Sequence, residues 1–180
     1  MNIDEFRRMN TGELYKLVKY DQFLSAIGES PLSKVESSES AKSVYRLAIQ
    51  PGWLGAPPHS LIQITDISHS LTVMLKTEKF EETINIDPSD RLFYERFRFL
   101  QENIEQLNFW SMESELNRGF DGADYIIEVA HHGKHKFSSC WCPKEDGNFR
   151  KLCQLFLDLP CYVGSILEGQ VRNLKESWVK

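Results

Sequence analysis

Two alternating runs on either side of a glycine-bearing turn constrain the fold of this chain more than any other stretch. In residues 124–130, Tyr125, Ile127 and Val129 alternate with a second set of side chains, the period of two that is typical of a β-strand. Residues 135–142 alternate in the same way. Gly133, between the runs, supplies the positive φ that a tight antiparallel turn needs. The sequence therefore predicts a β-hairpin with a half-buried first strand.

Further runs predict the rest of the architecture. Residues 43–50 form a strand candidate, and residues 61–67 and 71–78 form a second hairpin candidate. Apolar residues recur at helical spacing in residues 3–27, 93–107 and 146–159. For the second of these helices, Asp87 is the expected N-cap and Pro88 the expected first helical residue. For the first helix, the expected apolar face is Leu14, Leu17, Val18, Leu24 and Ile27.

These elements predict an α+β fold with an antiparallel sheet of about five strands and the helices mainly on one face. Residues 28–43 are polar, rich in serine and without periodicity, which favours a flexible linker. The expected organisation is an N-terminal helical segment over residues 1–27, a linker over 28–43, and a single α+β domain over 44–180. The first helix would then be an appendage to the domain.

Length and composition indicate one globular domain. The chain has 180 residues, of which 41% are apolar and 26% are charged. No apolar run approaches the roughly 20 residues of a membrane helix, and the N-terminus lacks the apolar core of a secretion signal. We therefore expect a cytoplasmic protein that does not bind membranes, with its four cysteines reduced.

Charge is distributed unevenly along the chain. Residues 78–128 carry 13 acidic and 5 basic side chains, a net charge of −8 in a chain whose total is −5. This acidic middle argues against direct nucleic-acid binding and is compatible with a basic protein partner. The expected partner-binding residues are Glu81, Glu82, Asp87, Asp90, Glu113 and Glu115. Trp53, in a proline-rich loop, is a further candidate anchor or else a lid on the core.

The hairpin contains the best candidates for a metal site or a catalytic thiol. Its potential ligands are His131, His132, His135, Cys140 and Cys142. Zinc sites usually leave two to four residues between paired cysteines, and the spacing here leaves one. A cysteine activated by His135 is the related alternative, but no known nucleophile motif surrounds either thiol. We therefore expect no metal, no cofactor and no catalytic residue.

Two carboxylates near the hairpin have structural interpretations. Asp121 is expected to cap its own turn through nearby main-chain N–H groups. Glu128 shares a strand face with Ile126, so we expect it to be partly buried and paired, with Arg46 as the candidate partner.

Several motifs together resemble a widespread family of uncharacterised bacterial proteins. They are Phe109-Trp110, Gly119, Asp121-Gly122, Glu128, Trp141 and Pro143, together with Tyr45-Arg46-Leu47 and Pro57-Pro58. The resemblance covers roughly residues 44–159, most of the chain. Phe120 replaces the usual Leu, and Cys140 and Cys142 replace the usual Arg and Ser. The family supplies no established activity.

The function expected from these observations is non-catalytic binding. The leading hypothesis is a bacterial immunity protein that occludes a basic toxin with its acidic surface. One alternative is a metal-dependent or thiol enzyme that uses the histidine and cysteine hairpin. The other is a structural interaction module that docks through its N-terminal helix.

Overall fold

The fold is α+β, built on one antiparallel sheet of six strands in the order β4-β3-β2-β1-β5-β6. The computed structural model describes residues 11–32, 41–52, 59–67, 70–115, 122–162, 169 and 172. The strands are β1 (Ala41–Pro51), β2 (Ser60–Ile67), β3 (Ser70–Thr77), β4 (Glu81–Ile86), β5 (Ala123–His131) and β6 (Lys134–Trp141). The helices are α1 (Thr11–Ala26), α2 (Arg91–Gln106) and α3 (Asn148–Asp158), with short 3₁₀ turns at Phe109–Ser111 and Leu159–Tyr162.

Both predicted hairpins are present. β2 pairs with β3, and β5 pairs with β6. The β5–β6 turn has φ values of 48° at His132 and 74° at Gly133, the two successive positive values of a type I′ turn. β5 was expected to be half-buried, but it lies beside the central strand β1 and is buried on both faces from Ala123 to Val129.

One face of the sheet is covered by α2 and α3. The predicted apolar faces are confirmed, because Phe93, Phe97, Leu100 and Ile104 of α2 are buried. Phe149, Leu152, Cys153 and Phe156 of α3 are buried in the same core. The sheet contributes the alternate residues Tyr45, Leu47 and Ile49 of β1 and Tyr125, Ile127 and Val129 of β5 to this core.

The opposite face of the sheet is covered by α1. A second core joins Tyr20, Phe23, Leu24 and Ile27 to the sheet residues Ala48, Leu61, Met74 and Ile126. Two helices therefore lie on one face, as predicted, and the N-terminal helix packs on the other. Of its predicted apolar positions, Leu24 is 0% exposed whereas Val18 is 46% exposed.

The ends of the predicted linker are ordered. Leu32 is buried, and its main-chain N–H donates to the Glu128 carboxylate at 2.8 Å. Arg46 Nη1 donates to the carbonyl of Ser30 at 2.6 Å. β1 already begins at Ala41, and residues 33–40 lie outside the described residues.

The start of α2 differs from the prediction by one turn. Asp90, not Asp87, is the N-cap, and its side chain accepts from the Phe93 main-chain N–H at 3.0 Å. Asp87 instead accepts from the main-chain N–H of Ser89 at 2.8 Å and forms a separate turn. Residues 81–86 between the predicted hairpin and α2 form the sixth strand, β4.

Candidate functional site

The most buried charged group of the described chain is the carboxylate of Glu128, which is 1% exposed. It lies on β5 and points towards α1. Tyr20 OH donates to it at 3.0 Å, and Arg46 Nη1 lies 3.4 Å away. His135 Nε2 also lies 3.0 Å from Glu128. The predicted pairing of Glu128 with Arg46 is therefore confirmed, and Glu128 is more deeply buried than expected.

Further ion pairs extend from Arg46 towards the edge of the sheet. Arg46 Nη2 lies 3.2 Å from Glu29, and Lys76 Nζ lies 3.0 Å from the other oxygen of that carboxylate. Lys76 also pairs with Glu81 at 2.9 Å. We call Glu29, Arg46, Lys76 and Glu128 the buried ionic cluster. It joins the segment after α1 to strands β1, β3 and β5.

The geometry of the buried ionic cluster favours a structural role. Both oxygens of Glu128 are occupied by donors from α1, β1, β6 and the segment after α1. Burial, followed by the nearby Glu128 charge, raises the pKa of Tyr20, so Tyr20 remains a donor at neutral pH. Each donor compensates part of the cost of removing the carboxylate from water. The cluster holds α1 on the sheet.

The histidine and cysteine hairpin is not assembled as one site. His131 contacts Ser43 and Tyr45 on the α2 face, whereas His135 contacts Glu128 on the α1 face. Cys140 is buried in the main core, and Cys142 is exposed beyond the end of β6. Among the residues that the structure describes, no group of three or more His, Cys, Asp and Glu side chains could hold a metal ion.

The two hairpin cysteines should differ sharply in their reactivity towards alkylating reagents. Burial raises the pKa of the Cys140 thiol to about 12, so it stays protonated and enclosed even at pH 10. We expect iodoacetamide to modify Cys142 in the native protein and to spare Cys140, as measured by peptide mass spectrometry at pH 8 and pH 10. Denatured protein, in which both should react, is the control. Native labelling of Cys140 at a rate close to that of Cys142 would contradict this placement.

The six predicted partner-binding carboxylates fall into two groups. Glu81 and Glu82 lie on β4 at one edge of the sheet, and Asp87 and Asp90 follow that strand. Glu113 and Glu115 precede β5 and run beside β6 at the other edge. Five spacings of about 4.8 Å separate the two edge strands, so the groups lie roughly 24 Å apart. The candidate anchor Trp53 and the predicted turn cap Asp121 lie outside the described residues.

The carboxylates at the β4 edge are in different environments. Glu81 is largely exposed, with 54% of its side chain accessible, and Asp87 is exposed in its turn. Hydrogen bonds from Ser89 lower the pKa of Asp87, so it is ionised at neutral pH. Glu82 points to the α2 face beside Leu75, which makes it an inward-pointing charge on an edge strand. Asp90 is committed to capping α2.

The second group is held mainly through its main chain. The Glu115 N–H donates to the Ser139 carbonyl at 2.8 Å, and Ser138 Oγ donates to the Glu113 carbonyl at 3.4 Å. Lys16 Nζ donates to the Glu115 carbonyl and pairs with Asp124 at 3.3 Å. Residues 113–115 therefore extend along the outer side of β6 and connect it to α1.

No family model matches the chain. Searches of curated proteins and of solved structures likewise found no similar protein. Within the described residues, no helix is both long and apolar enough to cross a lipid bilayer.

The sequence pattern did not predict one group of polar residues that the structure brings together. Ser43, Tyr45 and His131 form a hydrogen-bonded group beside a cavity of about 380 Å³, which Asp66 and Glu105 also line. These residues come from β1, β2, α2 and β5. Alternation places Ser43 and Tyr45 on one face of β1, but only the β1–β5 register brings them to His131. The sequence pattern does not specify that register.

Proposed function

We propose that this chain is a non-catalytic binding protein, and more specifically a bacterial immunity protein that occludes a basic toxin in the cytoplasm. The observation that supports this proposal most directly is the composition of the β4 edge. Residues 78–91 carry five carboxylates and two cations, Lys79 and Arg91. Among the described residues, no strand pairs with the outer side of β4. A partner could reach both the side chains and the main chain there.

The placement of the carboxylates narrows the proposed surface. We define the acidic edge as Glu78, Glu81, Glu82, Asp87 and Asp90. Its exposed members are suited to accelerating the encounter with a cationic partner. Glu113 and Glu115 belong to the opposite edge, which faces away from the acidic edge, so a partner docked on one edge would not contact the other group. The resemblance to a family of uncharacterised bacterial proteins is compatible with this proposal but supplies no activity of its own.

The charge-reversal variant E78K/E81K tests the acidic edge. We expect its association rate constant with the partner to fall by about tenfold or more at low ionic strength, because attraction becomes repulsion. The partner would first be captured from bacterial lysate on the wild-type chain and eluted with a salt gradient. Surface plasmon resonance would then compare rates at low and high salt. The difference in association rate between the wild-type chain and E78K/E81K should shrink as the salt concentration rises, because salt screens exposed charges.

The matched control is E113K/E115K, which makes the same change in net charge at the other edge. Its association rate should stay within about twofold of the wild-type value, after allowance for the net charge. If both variants slow association equally, binding depends on overall charge and the acidic edge is not the contact surface. If E113K/E115K alone slows it, the contact lies at the β6 edge.

A further inference from the structure

A cavity of about 390 Å³ lies between α1 and the sheet, at the end of the sheet opposite the β5–β6 turn. Four neighbouring strands reach it, because β1 and β6 end there and β2 and β5 begin there. The C-terminal half of α1 covers it through Lys19, Gln22 and Phe23. The cavity is therefore formed jointly by the N-terminal helix and the sheet.

The floor of the cavity is a row of cross-strand neighbours on the α1 face. Gln50 of β1 pairs with Asp124 of β5, and Asp124 pairs with Trp141 of β6. The register of β1 with β2 places His59 on the other side of Gln50, and its ring centroid lies 5.5 Å from that of Phe23. Neighbouring strands are about 4.8 Å apart, so Gln50 and Trp141 are separated by roughly 10 Å. The row therefore places an amide and a carboxylate between aromatic side chains.

The amide of Gln50 is a buried donor without an acceptor. Its Nε2 atom is buried, and it has no hydrogen-bond partner in the described part of the chain. A buried polar group of this kind has lost its hydrogen bonds to water and has gained none in return. A ligand that offers an acceptor to Gln50 would supply the missing hydrogen bond.

The lysine and carboxylate charges at the cavity balance one another. Lys16 Nζ pairs with the buried Asp124 carboxylate at 3.3 Å. At the rim, Lys19 and Glu78 are exposed and carry opposite charges. A charged ligand would have to leave water without an unbalanced counter-charge to receive it. The cavity therefore favours an uncharged ligand.

Trp141 is held in place as a flat wall of the cavity. A Cβ atom at Gly52 would lie 2.5 Å from Trp141 Cη2, and a Cβ atom at Gly122 would lie 3.0 Å from Cζ2. The Gly52 N–H donates to the Gly122 carbonyl at 2.8 Å, so two joined main-chain segments pack against the indole. The indole is only partly buried and lines the cavity. Its ring is therefore preorganised for stacking with a planar ligand.

We infer that this cavity binds an adenine nucleoside, with the base stacked on Trp141 and its N6–N7 edge on Gln50 and Asp124. That edge presents an acceptor, N7, beside the two N–H donors of N6. Gln50 donates to N7 and accepts from N6, which is the pairing that glutamine makes with adenine. The Asp124 carboxylate accepts the second N6 hydrogen. Guanine presents two acceptors at the same edge, which Asp124 disfavours. The assignment does not depend on the proposed immunity function.

Isothermal titration of the full chain with adenosine and with 7-deazaadenosine tests the inference. The second ligand has a carbon in place of N7 and leaves Gln50 Nε2 without its acceptor. We expect adenosine to bind at least about tenfold more tightly, because the deaza ligand encloses an unpaired donor. Q50L should remove this preference, whereas Q106L, at an exposed glutamine of α2, should retain it. Equal binding of the two nucleosides, no detectable binding of adenosine, or a preference retained in Q50L would overturn the inference.

Stacking is tested separately with W141L. We expect its affinity for adenosine to fall by at least about fivefold, because the base loses its aromatic platform. The matched control is W110L, whose tryptophan packs against the core on the other face of the sheet and should leave adenosine affinity within about twofold of wild type. Unchanged binding in W141L would overturn the stacking assignment. If a cavity variant fails to fold, the comparison of adenosine with 7-deazaadenosine on the wild-type chain remains decisive.

Two further ligands define the chemical class. Guanosine should bind at least about tenfold more weakly than adenosine, and equal or tighter binding of guanosine would overturn the assignment to adenine. AMP should bind no more tightly than adenosine, because Glu78 lies at the rim and the nearby Asp124 at the floor. AMP binding more than about tenfold tighter would overturn the assignment to an uncharged nucleoside.

Discussion

Replacing Glu128 with alanine is expected to destabilise the fold by about 3–5 kcal/mol. The carboxylate is 1% exposed and accepts from Tyr20, the Leu32 main chain and Arg46. Its removal leaves the Arg46 guanidinium, itself 3% exposed, without its most buried counter-charge. Chemical denaturation in urea, monitored by tryptophan fluorescence and by circular dichroism, measures the free energy of unfolding.

The matched control for this substitution is E81A, which removes a glutamate from the outer end of the same chain of ion pairs. The side chain of Glu81 is 54% exposed, so its pairing with Lys76 should contribute less than about 1 kcal/mol. Similar losses of unfolding free energy in E81A and E128A would show that burial does not distinguish the two glutamates. A loss below about 1 kcal/mol in E128A would contradict the proposed structural role of the buried ionic cluster.

A double substitution separates the effect of the ion pair on stability from the effect of burying its charges. When both members of a buried ion pair are replaced by apolar residues, the desolvation cost disappears together with the attraction. We therefore expect R46L/E128L to be less destabilised than E128A, although it also removes the Arg46 contacts to Glu29 and Ser30. Both variants leave Tyr20 OH and the Leu32 N–H without their acceptor. The sign of this difference depends on Arg46, which in E128A keeps Glu29 but loses its most buried counter-charge.

Local sequence patterns were sufficient for the elements with strong periodicity. Strands β2, β3, β5 and β6 and the apolar faces of α2 and α3 follow from spacing alone, because the apolar residues of each recur with a period of two or at helical spacing. The pairing of Glu128 with Arg46 was also predicted. It could be anticipated because a glutamate in the middle of an apolar strand needs a counter-charge when that strand is buried.

The sixth strand was missed because β4 is short and polar. Its sequence EETINI carries two adjacent glutamates, and its outward-facing residues are exposed at the edge of the sheet. The N-cap of α2 was misplaced for a related reason. Both Asp87 and Asp90 are good caps, and Pro88 favours the first of them, but the Asp87 side chain is used by the Ser89 turn.

The order of the strands in the sheet decides which candidate site residues lie near one another, and the sequence does not specify that order. The residues between Glu78 and Glu128 look like one acidic region in the chain. The sheet separates them, because β4 and β6 are opposite edges. Conversely, Asp66 and His131 are far apart in sequence and line the same cavity. Pairing between distant strands therefore decides which charges act together.

The spacing of apolar residues alone also did not predict where α1 packs. The predicted apolar face included both Leu24 and Val18, and the serine-rich segment that follows suggested an appended helix whose packing on the sheet was left open. In the structure, α1 covers the second face of the sheet, and the segment after it is bound by Glu128 and Arg46. A helix attached in this way should unfold together with the sheet.

The substitution L24A tests whether α1 is integral to the fold. Leu24 is 0% exposed and belongs to the second core with Ala48, Leu61 and Ile126, so its truncation leaves a cavity against the sheet. We expect a loss of about 2–5 kcal/mol in the free energy of unfolding, within one cooperative transition. V18A is the control from the same helix. Because Val18 is 46% exposed, that substitution should change stability by no more than about 0.5 kcal/mol. A negligible loss in L24A, or an early separate transition of α1, would instead support a detached helical segment, because a helix that does not share a core with the sheet cannot transmit the cost of a cavity to it.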